Sequence, residues 1–363
     1  MNGRKIDRVA VLLPTRNRFR WLRRVMRCLE RQTFRDFVVR VSDNGSSDDT
    51  MSLGAEDFPQ LPVIWSRREP ALAGLAEHYQ TLISEVTEEF SAIVHDDEVY
   101  SDRWLELLFN EMMSEDMVLS FGQTINIDAR RQNARFHLTT AGLPAGHYDS
   151  ETLKCSAIFK GQFFPSHGFL FKTKVAQSVS NILPKYEQYD YAWLMKVAEN
   201  GLTAVRPEYL VTYTVHRSNT LNSKGYLLEY ATRRQSCVML NEWLTELPDI
   251  PTAEKQSKRI DLTKAYAGGD FRAFIRSLAA GDRQLSELIA ARLSTNPMAS
   301  RFVRVASSLL LMFGVFQVSG KALAAYFRFR RSWAPRPLPS PVKIETVGAI
   351  FPELLRDDMK TPQ

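Results

Sequence analysis

Three short groups of polar residues follow apolar segments in the first hundred residues of the chain. They are Thr15-Arg16-Asn17, Asp43-Asn44 and Asp96-Asp97. In an open α/β sheet, ligands bind at the edge that the carboxyl ends of the strands form. Adjacent carboxylates at such an edge can reach a ribose and a divalent metal ion, which prefers oxygen ligands. An acidic pair alone is usually a solvated loop, so the interpretation as a site depends on the elements that position it.

Those elements are predicted by the spacing of the apolar residues. Strands are predicted at 8–13, 37–41, 61–65 and 90–94, with helices at 20–32, 72–86 and 104–112 and a further helical start at Thr50. This alternation indicates a parallel, doubly wound α/β sheet and places the three polar groups at one edge. Farther along, the pattern predicts strands at 117–127 and 211–215, less regular structure at 128–165, and a helix at 191–200 that Gly201 closes.

The last third of the chain has a different character. Helices are predicted at 227–247, 253–266, 271–279 and 283–293, with Gly-Asp and Pro breaks between them. We expect a catalytic domain at 1–217, a helical region at 218–300, an amphipathic helix at 301–333, and a proline-rich linker and tail at 334–363. The uncharged run at 305–320 is too short to span a bilayer. It is either a helix in the membrane interface or a buried or partner-docking helix.

Composition narrows the class of protein. The 363 residues, 44% hydrophobic and 24% charged, suffice for a soluble protein with a sizeable core that needs no disulfide or structural metal. Cys28, Cys155 and Cys237 have no paired spacing, which indicates buried thiols in a reducing compartment. The net charge of +6 suits an anionic partner, and arginines cluster at 16–31 and 301–331. No zinc-finger, RRM or basic-zipper pattern accompanies them, so nucleic acid is not the expected partner.

One stretch of sequence carries a family resemblance. Val9 to Asn17, followed by Leu22, Leu29, Gln32 and residues 41–50, resembles the opening of family 2 glycosyltransferases. Asp96-Asp97 stands where that family has its metal-binding DXD region. Asp190, ahead of a helix that ends in a glycine, resembles the family's Glu-Asp motif. The resemblance runs from about Val9 to His216.

The resemblance implies a GT-A fold, in which helices flank a mixed, mostly parallel sheet, here followed by the helical region. It also implies a nucleotide-sugar donor. Pro14, Thr15 and Arg16 would line the nucleotide pocket, Asp43 would hydrogen-bond the base, and Asn44 would lie near the ribose. Residues 43–49 also suit a turn with helix-cap residues, which is the rival interpretation.

The remaining assignments concern the metal and the base. By the resemblance, Asp96 would contact ribose or metal, and Asp97 would ligate Mn²⁺ or Mg²⁺ at the diphosphate. His216 would contact the diphosphate or complete the metal shell, although a lone histidine after a strand is often structural. Asp190 would be the base that activates the acceptor hydroxyl, or it would cap the helix from Tyr191, or both.

The sequence departs from the family pattern at three positions. Residues 95–98 contain no strict Asp-x-Asp, so Glu98 is an alternative metal ligand. Tyr189 stands where the Glu-Asp motif has its first acid, and His78 stands near a position that is often Asn. His167-Gly168 could border the acceptor site, and Trp193 is more suited to the core than to a sugar platform.

Together these features predict an inverting, hexosyltransferase-like enzyme. It would move a sugar from a UDP-, GDP- or dTDP-type donor to a hydroxyl of a surface polysaccharide or lipid-linked glycan. We expect it in the cytoplasm, with possible peripheral contact at the inner face of the membrane, because the basic 301–331 region suits anionic lipid. The alternatives are a catalytically silent nucleotide-sugar-binding scaffold and, less well supported, a nucleotidyltransferase.

Overall fold

A computed structural model describes residues 8–128, 135–139, 143–163, 167–185, 189–215, 225–280, 282–296, 299–301, 303–305 and 307. These residues form two compact units. The first contains the described residues up to 215, and the second contains those from 225 onward. A sheet with flanking helices makes up the first unit, and the second unit is helical.

Nine strands of the described chain form one mixed sheet. They are β1 (Val9–Thr15), β2 (Phe37–Asp43), β3 (Val63–Arg67), β4 (Phe90–Ile93), β5 (Met117–Asp128), β6 (Arg135–Thr139), β7 (Gly146–Tyr148), β8 (Phe169–Lys172) and β9 (Leu202–Val215). Their order is β3-β2-β1-β4-β8-β5-β9-β7, with β6 paired to β5. Strands β3, β2, β1 and β4 are mutually parallel, so their carboxyl ends share one edge. The predicted α/β class with a mixed sheet is confirmed.

The helices of the first unit lie between these strands. They are α1 (Phe19–Glu30), α2 (Leu75–Ser84), α3 (Trp104–Glu111), α4 (Ser150–Cys155), α5 (Thr173–Ser178) and α6 (Tyr189–Ala198). A π-helical turn at Ser156–Lys160 extends α4, and 3₁₀ turns occupy Asp49–Ser52, Ala55–Asp57 and Ser180–Lys185. The helix predicted from Thr50 is therefore only a 3₁₀ turn.

Burial of continuous apolar segments holds the sheet and helices together. Every residue of β1 is buried, as expected for a central parallel strand with helices on both faces. On α1, Leu22, Val25, Met26 and Leu29 are fully buried in the same core. Each such side chain contributes about 2 kcal/mol relative to an exposed one.

Buried Gln32 joins α1 to α3, and neither element alone would predict its contacts. Its Nε2 donates to the carbonyls of Ser101 at 2.7 Å and Cys28 at 3.3 Å, while its Oε1 accepts from the backbone N–H of Leu105 at 3.0 Å. Both the amide nitrogen and the amide oxygen of this buried side chain are therefore hydrogen-bonded, as burial of a polar group requires. This glutamine fixes the start of α3 relative to the end of α1.

Strand β8 enters the sheet between β4 and β5 and is antiparallel to both. The sequence patterns did not predict it, because its four residues, Phe169–Lys172, are too few to show an alternation. Strand β9 is also longer than predicted, since it starts at Leu202 and runs parallel to β5. The insertion of β8 matters for the site, because it brings the chain before residue 169 to the end of β4.

The helical unit contains α7 (Gly225–Glu246), α8 (Thr252–Ala280) and α9 (Arg283–Thr295). The predicted break at the Gly-Asp pair of residues 269–270 is wrong, because α8 runs through it. A mid-helix glycine costs about 1 kcal/mol, which the core contacts beyond it outweigh. Phe274 and Leu278 are completely buried there, against Ile289 and Leu293 of α9.

Of the helices that the structure describes, none has the length and apolar character that crossing a bilayer requires. The predicted interfacial segment at 305–327 lies largely outside the described residues, as does the tail at 334–363. Its role as a membrane, partner or core element stays a prediction.

Candidate active site

The carboxyl ends of β1 and β2 lie side by side. Thr15 pairs with Asp43 in the parallel register, and the N–H of Asn44 donates to the Thr15 carbonyl at 2.9 Å. The Asp43 side chain is fully buried, and its carboxylate accepts from the Ser46 backbone N–H at 3.0 and 3.2 Å and from the Ser46 hydroxyl. Arg67 lies 3.4 Å from the same carboxylate. Asp43 therefore fixes the shape of the turn that follows β2.

Asn44 and Asn17 connect this turn to its neighbours. The Asn44 amide pairs in both directions with the backbone of Leu72, at 2.7 and 3.2 Å. The Asn17 side chain accepts from the Ser47 N–H at 2.7 Å, and Asn17 has a positive φ of 53°. Asparagine tolerates that left-handed conformation better than most residues do. Three loops are thereby held together as one wall at the sheet edge.

Asp96, just beyond β4, contacts the end of β1. Its carboxylate accepts a hydrogen bond from the Thr15 hydroxyl at 2.8 Å. Burial and the neighbouring charge of Asp97 raise its pKa to about 7, against the opposing influence of Arg18, the Thr15 hydrogen bond and His95. The two carboxylates therefore crowd each other at a half-buried position.

The crowding of these two carboxylates indicates whether the residues suit a metal ion. A divalent cation beside Asp96 and Asp97 would relieve the repulsion, and carboxylate oxygens are the donors that Mn²⁺ and Mg²⁺ prefer. The loop is also held in place, since Arg24 donates to the Asp97 carbonyl at 2.9 Å. The residues present fit a hard divalent ion.

Asp190 lies in the first turn of α6, which begins at Tyr189, two residues before the predicted start. Its Oδ1 accepts from the Tyr191 N–H at 3.0 Å. Buried Trp193 anchors the helix against Phe171 of β8, with ring centroids 5.2 Å apart, and donates to the Ala176 carbonyl. Trp193 is thus a core residue.

A second cluster, the His-Glu-His cluster of His95, Glu98 and His167, lies at the end of β4. The Nδ1 atoms of His95 and His167 lie 2.9 and 2.5 Å from Glu98 Oε1 and 3.2 Å from each other. The β4-β8 register explains this meeting, because Ala92 pairs with Leu170 in an antiparallel pair. His95 lies three residues after Ala92, and His167 lies three residues before Leu170. The two histidines are therefore opposite each other.

Burial and neighbouring charges shift the pKa values of His95 and Glu98 in this cluster. Burial lowers the pKa of His95, but Glu98, Asp97 and Asp190 together raise it to about 9. Burial would raise the pKa of Glu98, yet His167 and His95 hold it far below its usual range. The end of β4 thus joins His95 and Glu98, which are close in sequence, to His167, which is 72 residues from His95.

Outer contacts fix the cluster in place. Tyr100 donates to Glu98 Oε2 at 2.7 Å and accepts from the His95 backbone N–H at 3.0 Å. Burial and the charge of Glu98 raise the Tyr100 pKa well above its usual value, so its hydroxyl stays protonated. The Gly168 carbonyl accepts from Trp104 Nε1 at 2.9 Å, and Gly168 has a positive φ of 59°.

The other predicted site residues have these positions. Pro14 is buried within β1, Arg16 is exposed at the end of that strand, and His216 lies outside the described residues. His78, which stands near a position that is often Asn in the family, is buried against Ser42. Its Nε2 lies 2.8 Å from the Ser42 Oγ. Sequence reasoning did not group His95 with Glu98 and His167. Only the unpredicted β8 pairing reveals that grouping.

Comparisons with known proteins agree with this architecture. Residues 10–179 match the family model described as glycosyl transferase family 2. The chain matches no curated protein sequence. It is similar to S. aureus TarS (residues 1–349) in complex with UDP-GlcNAc, at 16% identity and a TM-score of 0.56 over 84% of this chain and 89% of that one. It is also similar to the mannosyltransferase PcManGT from Pyrobaculum calidifontis in complex with GDP-Man and Mn²⁺, at 14% identity and a TM-score of 0.50 over 85% and 87%.

At these identities the two structures establish the fold, and the family match establishes the class. The match covers β1 to β4, with the Thr15, Asp43 and Asp96 strand ends, and it continues through β8. The match identifies residues 10–179, a little under half of the chain, as a family 2 glycosyltransferase domain.

Proposed function

We propose that the protein transfers a sugar from a nucleoside-diphosphate sugar to an acceptor hydroxyl with inversion at the anomeric carbon. The observation that supports it is the family 2 match over residues 10–179, together with the hydrogen bond that joins Asp96, just beyond β4, to Thr15 at the end of β1. In this proposal Asp97 faces the donor phosphates and Asp190 faces the acceptor. A single in-line displacement needs these two functions on opposite sides of the sugar.

The strand ends of β1 and β2 form the nucleotide pocket in this proposal. Pro14, Thr15 and Arg16 line it, and Asp43 and Asn44 supply the turn beside base and ribose. Because the Asp43 carboxylate already accepts from Ser46, its contribution is first to hold that turn. A direct hydrogen bond from Asp43 to the base stays a prediction.

Asp97, with Asp96 beside it, would hold Mn²⁺ or Mg²⁺, and His216 would complete the shell. When bound, the metal supplies positive charge that stabilises the leaving diphosphate. Asp96 is positioned by Thr15, so it can orient the ribose or support the same ion. The presence of Mn²⁺ in the PcManGT structure makes this ion the first one to test.

Asp190 would take the proton from the acceptor hydroxyl as that oxygen attacks. Its place in the first turn of α6 puts the carboxylate beside the positive end of the helix dipole. Trp193 and β8 hold the helix rigidly, which favours a fixed distance between base and donor.

The substrate class is a further part of the proposal. We infer a hexose from a UDP-, GDP- or dTDP-type donor, because solved neighbours of this fold hold UDP-GlcNAc and GDP-Man. The acceptor would be a glycan or lipid-linked glycan of surface-polysaccharide synthesis, since the chain is basic and arginines cluster at 301–331. This reaction would take place in the cytoplasm, at the inner face of the membrane.

A donor screen tests the proposal. The full chain is mixed with each UDP-, GDP- and dTDP-sugar, with Mn²⁺ or with chelator, and thermal stabilisation and nucleoside diphosphate release are measured. We expect one donor to stabilise the fold by a few degrees and to be turned over only with the metal. Binding without turnover across the whole panel, acceptors included, would instead support the scaffold alternative.

A further inference from the structure

We propose that His95, Glu98 and His167 form a binding site for a first-row transition-metal ion such as Zn²⁺. This His-Glu-His cluster is separate from the carboxylate pair that would serve the donor. The cluster borders the proposed donor-metal site, for which Glu98 is an alternative ligand, but its test needs neither donor nor turnover. Its basis is the convergence of three donor atoms, their outer contacts and the charges around them.

The three donor atoms all lie within bonding reach of a single point. His95 Nδ1, His167 Nδ1 and Glu98 Oε1 are separated by 2.9, 2.5 and 3.2 Å. Three atoms at these separations fit on a sphere of roughly 2.1 Å radius, which is close to the usual zinc–nitrogen and zinc–oxygen bond length. Among the residues that the structure describes, no other three His, Cys, Asp or Glu side chains have ligand atoms that all lie within 4.8 Å of one another.

The chemistry of the donors selects the kind of ion. Two imidazoles and one carboxylate form a donor set typical of zinc sites with three protein ligands, whereas Mg²⁺ and Ca²⁺ prefer oxygen ligands alone. The imidazole nitrogens therefore favour Zn²⁺, Co²⁺ or Fe²⁺ over Mg²⁺. Three protein ligands leave a fourth position for water.

Outer contacts orient the ligands as established metal sites require. Tyr100 donates to the second Glu98 oxygen at 2.7 Å, which turns Oε1 toward the histidines. The His167 ring stacks on Tyr213 with centroids 4.5 Å apart, and the His95 ring lies parallel to Tyr79 at 6.1 Å. The tyrosine rings limit the rotation of the two imidazoles, and the Tyr100 hydrogen bond orients the carboxylate, as outer contacts do at metal sites.

Charge and access also favour a cation. Glu98 is 1% exposed, so its negative charge needs a buried positive partner. Asp97 and Asp190 also place negative charge near His95. The histidine side chains are 23% and 19% exposed, so an ion can enter from the open side.

Metal titration of the full-length protein tests the inference. The purified chain is first freed of metal with chelator, then titrated with Zn²⁺ in a calorimeter and with Co²⁺ in a spectrophotometer. We expect one equivalent of Zn²⁺ to bind and Co²⁺ to give the intense visible bands of a four-coordinate ion. Glu98→Gln and His167→Gln should each weaken zinc binding at least tenfold, and Tyr100→Phe should weaken it about tenfold by removing an outer contact.

Two matched variants separate this site from other zinc binding. His147→Gln removes an exposed histidine that pairs with Glu111 at 3.0 Å, and it should leave zinc affinity unchanged. Asp97→Asn removes the carboxylate assigned to the donor metal, and it should still bind one equivalent of Zn²⁺, with an affinity lowered only by the loss of one nearby negative charge. Circular dichroism of each variant establishes that it is folded before its titration is interpreted.

Three results would overturn the inference. They are the absence of stoichiometric Zn²⁺ binding to the wild-type chain, equal affinity in the folded Glu98→Gln and His167→Gln variants, and loss of the zinc equivalent in Asp97→Asn. The first two would make the His-Glu-His cluster a proton-linked ion-pair network, and the third would place the ion at the carboxylate pair. None of these results bears on donor turnover, which the donor screen measures separately.

Discussion

Replacing His78 with glutamine should flatten the acid dependence of stability. His78 is 2% exposed, and burial, followed by the positive charge of Arg68, lowers its pKa to about 4, while Asp43 and Glu85 oppose that shift. The unfolded chain has an ordinary histidine pKa of about 6.5. Below that pH the unfolded state therefore binds a proton that the folded state does not accept. Stability is fully present above about pH 6.5 and is lost as pH falls toward 4.

The size of the effect follows from the two pKa values. Between about pH 7.5 and about pH 5, a histidine with these values removes about 2 kcal/mol from the free energy of unfolding. Glutamine can keep the hydrogen bond that His78 Nε2 makes with the Ser42 hydroxyl, but it does not titrate. The pH-dependent loss in the variant should therefore be smaller than in the wild type by about this amount.

Urea unfolding at the two pH values, followed by circular dichroism, measures the difference directly. His147→Gln serves as the control, because that histidine is 54% exposed and its loss should not reduce the acid sensitivity in this way. Equal losses of stability on acidification in the wild type and in His78→Gln would refute the reasoning. That result would mean that buried His78 is protonated in the folded state at the same pH as in the unfolded chain.

Two further predictions concern the end of β4 and the chain before β8. In metal-free protein, Glu98→Gln should lower the free energy of unfolding by about 3 kcal/mol, because it leaves two half-buried histidines without their buried carboxylate. Urea denaturation measures this loss, and a value below about 1 kcal/mol would contradict the role of Glu98 as their ion-pair partner. Gly168→Ala should lower it by about 1–3 kcal/mol, because the residue has a φ of 59° and an added Cβ would lie 2.9 Å from Val211; a neutral result in the same assay would show that the backbone there is not constrained.

Much of the first half of the fold could be predicted because its elements are long and strongly periodic. The apolar residues of β1 and the helical spacing of α1 indicate their structure without tertiary information. The break predicted in α8 was wrong because the sequence pattern includes the low helix propensity of glycine but not the packing of Phe274 and Leu278. That packing exists only in the folded unit. Strand β8 was not predicted because a strand of only four residues is too short to show a recognisable alternation of apolar and polar residues.

The candidate site also has a part that the sequence predicts and a part that it does not. The acidic positions at strand ends follow from the α/β pattern, since parallel neighbours bring Thr15 and Asp43 together. The His-Glu-His cluster could not be predicted, because His95 and His167 are 72 residues apart and meet only through an antiparallel pairing. A strand that joins the sheet from a distant part of the chain contributes contacts that sequence spacing does not encode.

The central claim is that the carboxylates of residues 97 and 190 serve one reaction from two sides, and Asp190→Asn tests it most directly. For the donor that the screen identifies, nucleotide-sugar affinity and the steady-state rate are measured in the wild type and in this variant. The account predicts donor affinity within about threefold of wild type and a rate at least about a hundredfold lower, the contribution of a lost general base. A near wild-type rate, or a loss of donor binding equal to the loss of rate, would contradict it.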